Sequence, residues 1–146
     1  MTQKMAAAVT LLREAHEGAL ATLENDVPFV SGMAFVYEES GVPEGIGKIC
    51  LIMSDLARHT KNIMKNPNVS LFVVENGPAP IYEKKRMSLQ GKISYVKDER
   101  RHAALKALYL QALPGSEKLF SFLDFHLFEI DITGIHAVDG FGGPLS

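Results

Sequence analysis

The stretch Lys85–Val96, KRMSLQGKISYV, sets Met87, Leu89, Ile93 and Tyr95 at alternate positions, with Arg86, Ser88 and Gln90 between them. Successive side chains of a strand point to opposite faces, so this run has one apolar side that needs a core and one polar side that does not. Gly91 interrupts the alternation and predicts a bulge. Five other runs have strand character: Gly18–Glu24 (GALATLE), Val27–Glu39 (VPFVSGMAFVYEE), Lys48–Ser54 (KICLIMS), Asn68–Glu75 (NVSLFVVE) and Phe125–Gly140 (FHLFEIDITGIHAVDG), the last kinked at Gly134. Pro28 stands near the start of its run, where a missing N–H is tolerated. The strands are joined by turns such as END at 24–26 and the glycine- and proline-rich SGVPEGIG at 40–47. Six strands with few helices predict a mainly β fold, a six-stranded antiparallel barrel paired as a meander, which leaves no edge exposed. An open α+β sheet covered by helices is the competing architecture.

The helices decorate this frame. Thr2–His16 carries an apolar stripe at Ala6, Val9, Leu11 and Leu12, and Gly18 stops it. A short helix spans Leu56–Asn66 and ends at Asn66-Pro67; another spans Asp98–Ala112 with Asp98 as its cap, and Ser116–Leu123 forms a further short one. No linker or internal repeat divides the chain, so residues 1–146 are read as one domain.

Composition removes several function classes. The net charge of −2 gives no basic field for a nucleic-acid partner. No apolar run approaches the ~20 residues that span a bilayer, so no membrane partner is expected. The mixed-charge start, MTQKMAAAVTLLREAHEG, lacks the pattern of a signal peptide, and the single Cys50 permits no disulfide within the chain. A cytoplasmic location is expected, with Cys50 as a buried small hydrophobe. No two of the five histidines sit at i,i+3 or i,i+4 with a carboxylate partner, and cysteine ligands are absent, so no zinc site is expected. GxSxG, Walker and GxGxxG motifs are absent; GFGG at Gly140–Gly143 is either a turn or a ligand cradle.

The chemistry concentrates in SDLARHTKNIMKNPNVSLFV, residues 54–73. Arg58 and His59 fall in the first turn of the short helix, with Thr60 and Lys61 following. Unpaired N–H groups and a partial positive charge at a helix start disfavour cations there unless an anion is present. An anion held by N–H groups, a guanidinium and hydroxyls explains the arrangement; a solvated helix face explains it equally. Arg86, Ser88 and Gln90 make the second polar surface, which faces a ligand, another subunit or solvent.

These residues, in their order, carry a resemblance. S-x-LA-x-HT-x-N at Ser54–Asn62, NP-x-VSL at Asn66–Leu71, R-x-S-L-x-G at Arg86–Gly91 and DF-x-L-F-x-I running to GFG at Asp124–Gly142 resemble the FMN-binding split barrels related to pyridoxamine 5′-phosphate oxidase, on the branch near the haem-degrading split-barrel proteins. The resemblance covers about Gly18 to Gly143. It implies a homodimer with FMN at the subunit interface, acting as an oxidoreductase on a small-molecule substrate or electron donor. It places Ala21, Thr22, Pro28, Val30 and Ser31 along the flavin ring, and Ser54, Arg58, His59, Thr60 and Lys61 around the phosphate. Arg86 and Ser88 would approach from the neighbouring strand, and the Gly140–Gly142 tail would lie close by. Haem and deazaflavin are the alternative cofactors, with His126 and His136 as the histidines available to haem, and a flavin- or haem-binding carrier is the alternative function. Pyridoxamine phosphate oxidases carry an arginine and a histidine in their C-terminal strand; DGFGGPLS has neither, which argues against that substrate.

Overall fold

The computed structural model describes residues 2–43, 45–140 and 143–144. Helix α1 (Gln3–Glu14) is followed by strands β1 (Glu17–Glu24), β2 (Val27–Ala34), β3 (Val36–Glu38) and β4 (Lys48–Ser54). Then come α2 (Arg58–Lys65), β5 (Asn68–Val74), β6 (Lys85–Tyr95), α3 (Glu99–Ala112), β7 (Phe125–Asp139) and β8 (Gly143–Pro144). Two 3₁₀ segments, Ile81–Glu83 and Pro114–Ser121, complete the connections. The cap residues sit where sequence chemistry puts them. The Thr2 hydroxyl accepts from the Met5 N–H at 3.1 Å and the Asp98 carboxylate from the Arg101 N–H at 2.9 Å.

Every strand pair is antiparallel, in the order β2-β1-β5-β6-β7-β4-β3, with β8 beside β7. The two outer members of that order are consecutive in the chain. They are separated only by Phe35, which is fully buried and whose N–H donates to the His16 carbonyl at 2.9 Å, one step beyond the Glu17–Ala34 pair of the β1–β2 register. The single run expected over Val27–Glu39 therefore breaks in two: its first part pairs with β1 and its second with β4. One kinked stretch thus joins both ends of the sheet and curls it into a barrel. This break and the two-residue β8 raise the strand count, among the described residues, from the expected six to eight. The meander expectation also fails, because β1 pairs with β5 and β4 with β7. Between β4 and β5 the chain passes through α2, so those strands are not hairpin partners, and the 15-residue β7 lies between β4 and β6.

The expected bulge is present at Gln90/Gly91, where Thr133 of β7 is the extra residue. A Cβ on Gly91 would collide with the Asp131 carbonyl oxygen, so the close approach of the two strands requires glycine there.

The strands bury two sides. Leu20, Leu51, Leu71 and Leu89 point into the barrel, where Leu12 of α1 joins them. Each such side chain contributes about 1.5–3 kcal/mol on burial. On the outside of β3, β4 and β7, Val36, Cys50, Ile52 and Leu127 lie under Leu105 and Tyr109 of α3. Burial pushes the Cys50 thiol up to about 12, which keeps it protonated and suits a packing role. Arg101 of α3 pins this layer through Glu38 (2.6 Å) and Glu129 (2.8 Å).

Candidate functional site: the start of α2 and the open sheet face

The chain leaves β4 at Ser54 and is fastened at once. The Ser54 hydroxyl donates to Asp124 Oδ2 at 2.7 Å and accepts from the Leu56 N–H at 3.1 Å. The Asp55 N–H donates to the Asp124 carbonyl at 2.7 Å. His126 of β7 spans Asp55 Oδ2 (2.9 Å from Nε2) and the Tyr95 hydroxyl (2.8 Å from Nδ1). With its proton on Nε2, the ring donates to the carboxylate and accepts from the phenol.

Helix α2 then starts without a cap. Ala57, at the N-cap, supplies no side-chain acceptor, and no acidic residue lies in the first turn. The first N–H groups of a helix have no partner within it, so this terminus is an electropositive cluster of donors. Two further polar atoms are present. His59 Nε2 and Thr60 Oγ1 are both buried without a hydrogen-bond partner, and Thr60 as a whole is 3% exposed. Buried polar groups are normally satisfied, and an orphaned one costs about 1–3 kcal/mol. Burial also holds the His59 pKa below its ordinary 6.5, which favours the uncharged ring.

Arg58, at the first helical position, is already engaged. Its Nε donates to Glu24 Oε2 at 2.6 Å and its Nη2 to Glu24 Oε1 at 2.7 Å, and the guanidinium lies 4.4 Å from the centre of the Phe29 ring. That hydrogen bonding holds the Glu24 carboxyl below the usual carboxylate range. Lys61 is exposed. Behind them, Asn62 Nδ2 donates to the Thr22 hydroxyl at 3.1 Å, which donates to the Phe29 carbonyl at 3.4 Å; this buried chain fixes α2 on the β1–β2 hairpin.

Alternation separates the residues expected along a flavin ring. Ala21, Pro28 and Val30 lie on the outer face of β1 and β2, whereas Thr22, fully buried, and Ser31, opposite Leu20, lie on the inner side. The outer face continues across the sheet through the register Val30–Ala21–Ser70–Gln90–Gly134. The next row outward is Gly32–Ala19–Phe72–Ser88–His136, which places Ser88 opposite His136. A groove of ≈ 360 Å³ follows this face past Ala21, Pro28, Ser70, Gln90 and Thr133. Arg86 lies on the same side of β6 as Ser88 and Gln90, one row further along. Its Nη1 donates to the Ile81 and Lys84 carbonyls at 3.0 and 3.1 Å and fastens the preceding turn. Gly140 adopts φ +35°, while Phe141 and Gly142, expected near the site, lie outside the described residues.

The structure thus groups Ser54, Arg58, His59, Thr60 and Lys61 at the start of α2 and Ala21, Pro28, Val30 and Ser88 on the open face. The Ser54 hydroxyl is used by the turn itself. Sequence reasoning missed Glu24, Asn62 and the Asp55–His126–Tyr95 chain. Their partners stand 34, 40, 71 and 31 residues away, beyond the reach of any local spacing rule. Among the described residues, no group of three or more His, Cys, Asp or Glu could hold a metal ion, and no helix is long and apolar enough to cross a membrane.

Comparison with solved structures gives split-barrel neighbours. A haem-binding protein of Mycobacterium smegmatis superposes over 99% of this chain with a TM-score of 0.85 at 22% identity. The chain spans 57% of that protein's length. A Listeria innocua protein provisionally assigned as a pyridoxamine 5′-phosphate oxidase matches over 93% of this chain and 98% of its own, with a TM-score of 0.71 and 16% identity. An FAD-binding protein of Mesorhizobium loti matches over 88% and 89%, with a TM-score of 0.69 and 16% identity. At these identities the likeness establishes the fold. No curated protein matches the chain. The family model described as CREG, β-barrel, matches residues 1–146, and the chain, with its split-barrel fold, belongs to the CREG β-barrel family.

Proposed function

We propose that this chain is an FMN-binding oxidoreductase that works as a homodimer, with the flavin phosphate at the start of α2 and its ring against the open sheet face. The observation that carries this reading is the pair of buried, unpartnered atoms, His59 Nε2 and Thr60 Oγ1, in the first turn of a helix without a cap. A phosphate has the acceptors that the Thr60 hydroxyl, the helix N–H groups and a protonated His59 Nε2 lack. Arg58 adds charge and a planar fork suited to phosphate. Val30 is 61% exposed on a face of Ala19, Ala21, Gly32 and Ser70, small residues that leave room for a flat ring or a second subunit. Bound FMN would supply the hydride or single-electron exchange. The chain's own part is to hold the phosphate, to orient the ring and to place Ser88 and Gln90 where they can donate to it.

The test is the visible spectrum of protein incubated with FMN and desalted, beside the R58A/H59A double variant. Flavin retained by the wild type and lost by the variant supports the reading; absence of flavin from the wild type at micromolar protein ends it. A second reading, a haem- or flavin-binding carrier without turnover, is favoured by the likeness to the Mycobacterium smegmatis haem-binding protein and by His136 on the open face. A Soret band on adding haemin, abolished by His136→Ala, would select it, and deazaflavin binding is assayed in the same way.

A further inference from the structure

Glu24 is the last residue of β1, directly before the turn residues Asn25 and Asp26, whose φ values are +50° and +66°. Positive φ at both central residues is the mark of a tight hairpin turn, so the hairpin end is fixed and delivers Glu24 to Arg58. Both carboxylate oxygens are occupied by the guanidinium, at 2.6 and 2.7 Å. Phe29, one strand over, supports the same guanidinium from its face. A carboxylate is therefore already seated on the cation that opens α2, within the cluster that also contains the orphaned Thr60 hydroxyl and His59 Nε2.

We infer that Glu24 is a resident counter-anion, which holds Arg58 in place in the empty protein and which a phosphate monoester must displace from the guanidinium on binding. This rests on the phosphate reading of the α2 terminus given above. Glu24 occupies the Nε/Nη2 edge of the guanidinium, so a phosphate can take that edge only by replacing it, and a dianionic phosphate on the remaining Nη1 edge beside the carboxylate is repelled. Exposed ion pairs are individually weak, so displacement is feasible, and Glu24 sets the affinity for the phosphate end of a ligand rather than blocking it. The same pair gives selectivity: ligands without an anionic group have nothing to exchange for Glu24 on Arg58.

The experiment titrates wild type and E24Q with FMN, with riboflavin, which lacks the phosphate, and with inorganic phosphate as competitor. Flavin fluorescence reads binding, and the Arg58 Nε–H resonance reads the guanidinium. E24Q should bind FMN roughly 3- to 10-fold more tightly and riboflavin unchanged. Phosphate should compete better in E24Q, and the wild-type Arg58 resonance should move on saturation. FMN binding by the wild type that E24Q leaves equal or weakens overturns the inference and leaves the flavin reading standing. If neither protein retains FMN, the flavin reading falls. The Arg58 resonance of the wild type, followed with inorganic phosphate alone, then decides the inference: movement supports a displaceable Glu24, and no movement overturns it. That wild-type measurement also decides the question if E24Q does not fold.

Discussion

The barrel has two outer faces that alternation built in the same way and that were finished differently. Outside β3 and β4 the chain places Val36, Cys50 and Ile52, and then covers them with Leu105 and Tyr109 of α3. Outside β1, β2 and β5 it places mostly small residues, Ala19, Ala21, Gly32 and Ser70, beside Val30 and Phe72, and no helix among the described residues covers them. Large side chains on the first face need a lid from the chain itself. Small ones on the second cost little when exposed and permit close approach when covered. The difference assigns the first face to stability and leaves the second free for a ligand or a second copy.

The largest expected effect breaks the covered face. Leu105→Ala removes a side chain that is 1% exposed and should cost about 2–5 kcal/mol in denaturant unfolding. Val30→Ala, on the open face, should stay within about 0.5 kcal/mol. Equal losses would mean that the two faces do not differ as described. Next, Ala21→Glu sets an unpaired carboxylate at the centre of the open face. In a dimer buried there it should weaken self-association by about 3 kcal/mol, roughly a hundredfold, with the monomer fold intact. Sedimentation equilibrium measures this, and unchanged association would move the dimer surface elsewhere.

A smaller effect comes from Thr60→Val, which removes the orphaned hydroxyl. The empty protein should gain about 1 kcal/mol while FMN retention falls. A loss of stability would show that the hydroxyl already has a partner. The smallest effect concerns His59. Its folded pKa lies below the ordinary 6.5, so the unfolded chain takes up its proton first, and stability should decline as pH falls below about 6.5, down to the folded value. Unfolding free energies of wild type and H59Q measured between about pH 7.5 and pH 5 should converge if His59 is the source; parallel curves would point to another group.

Much of the frame was legible because alternation and turns are local. The Lys85–Val96 run, the Gly91 irregularity and the Asp98 cap were each visible in a dozen residues or fewer. The break at Phe35 was not, since Val27–Glu39 has continuous strand propensity. The hydrogen bond from Phe35 to His16 extends the β1–β2 register by one step, and from Val36 on the strand pairs with Cys50 instead, a partner that no local pattern announces. The helix with Arg58, His59 and Thr60 was legible through its misplaced cations. Its resident carboxylate was not, because Glu24 meets Arg58 only once β1 and α2 are folded together. The split between Ala21 and Thr22 could have been read directly, since neighbours on a strand cannot line one face.

The kink at Phe35 has a mechanical consequence. Because one continuous stretch pairs with both ends of the sheet, a one-residue slip in the β1–β2 ladder must be passed on to the β3–β4 ladder, turning buried and exposed side chains over at both seams at once. Neither seam can open or shift alone without straining the other. The amides of β2 and β3 should therefore exchange with solvent through one shared opening event, although they belong to opposite edges of the sheet.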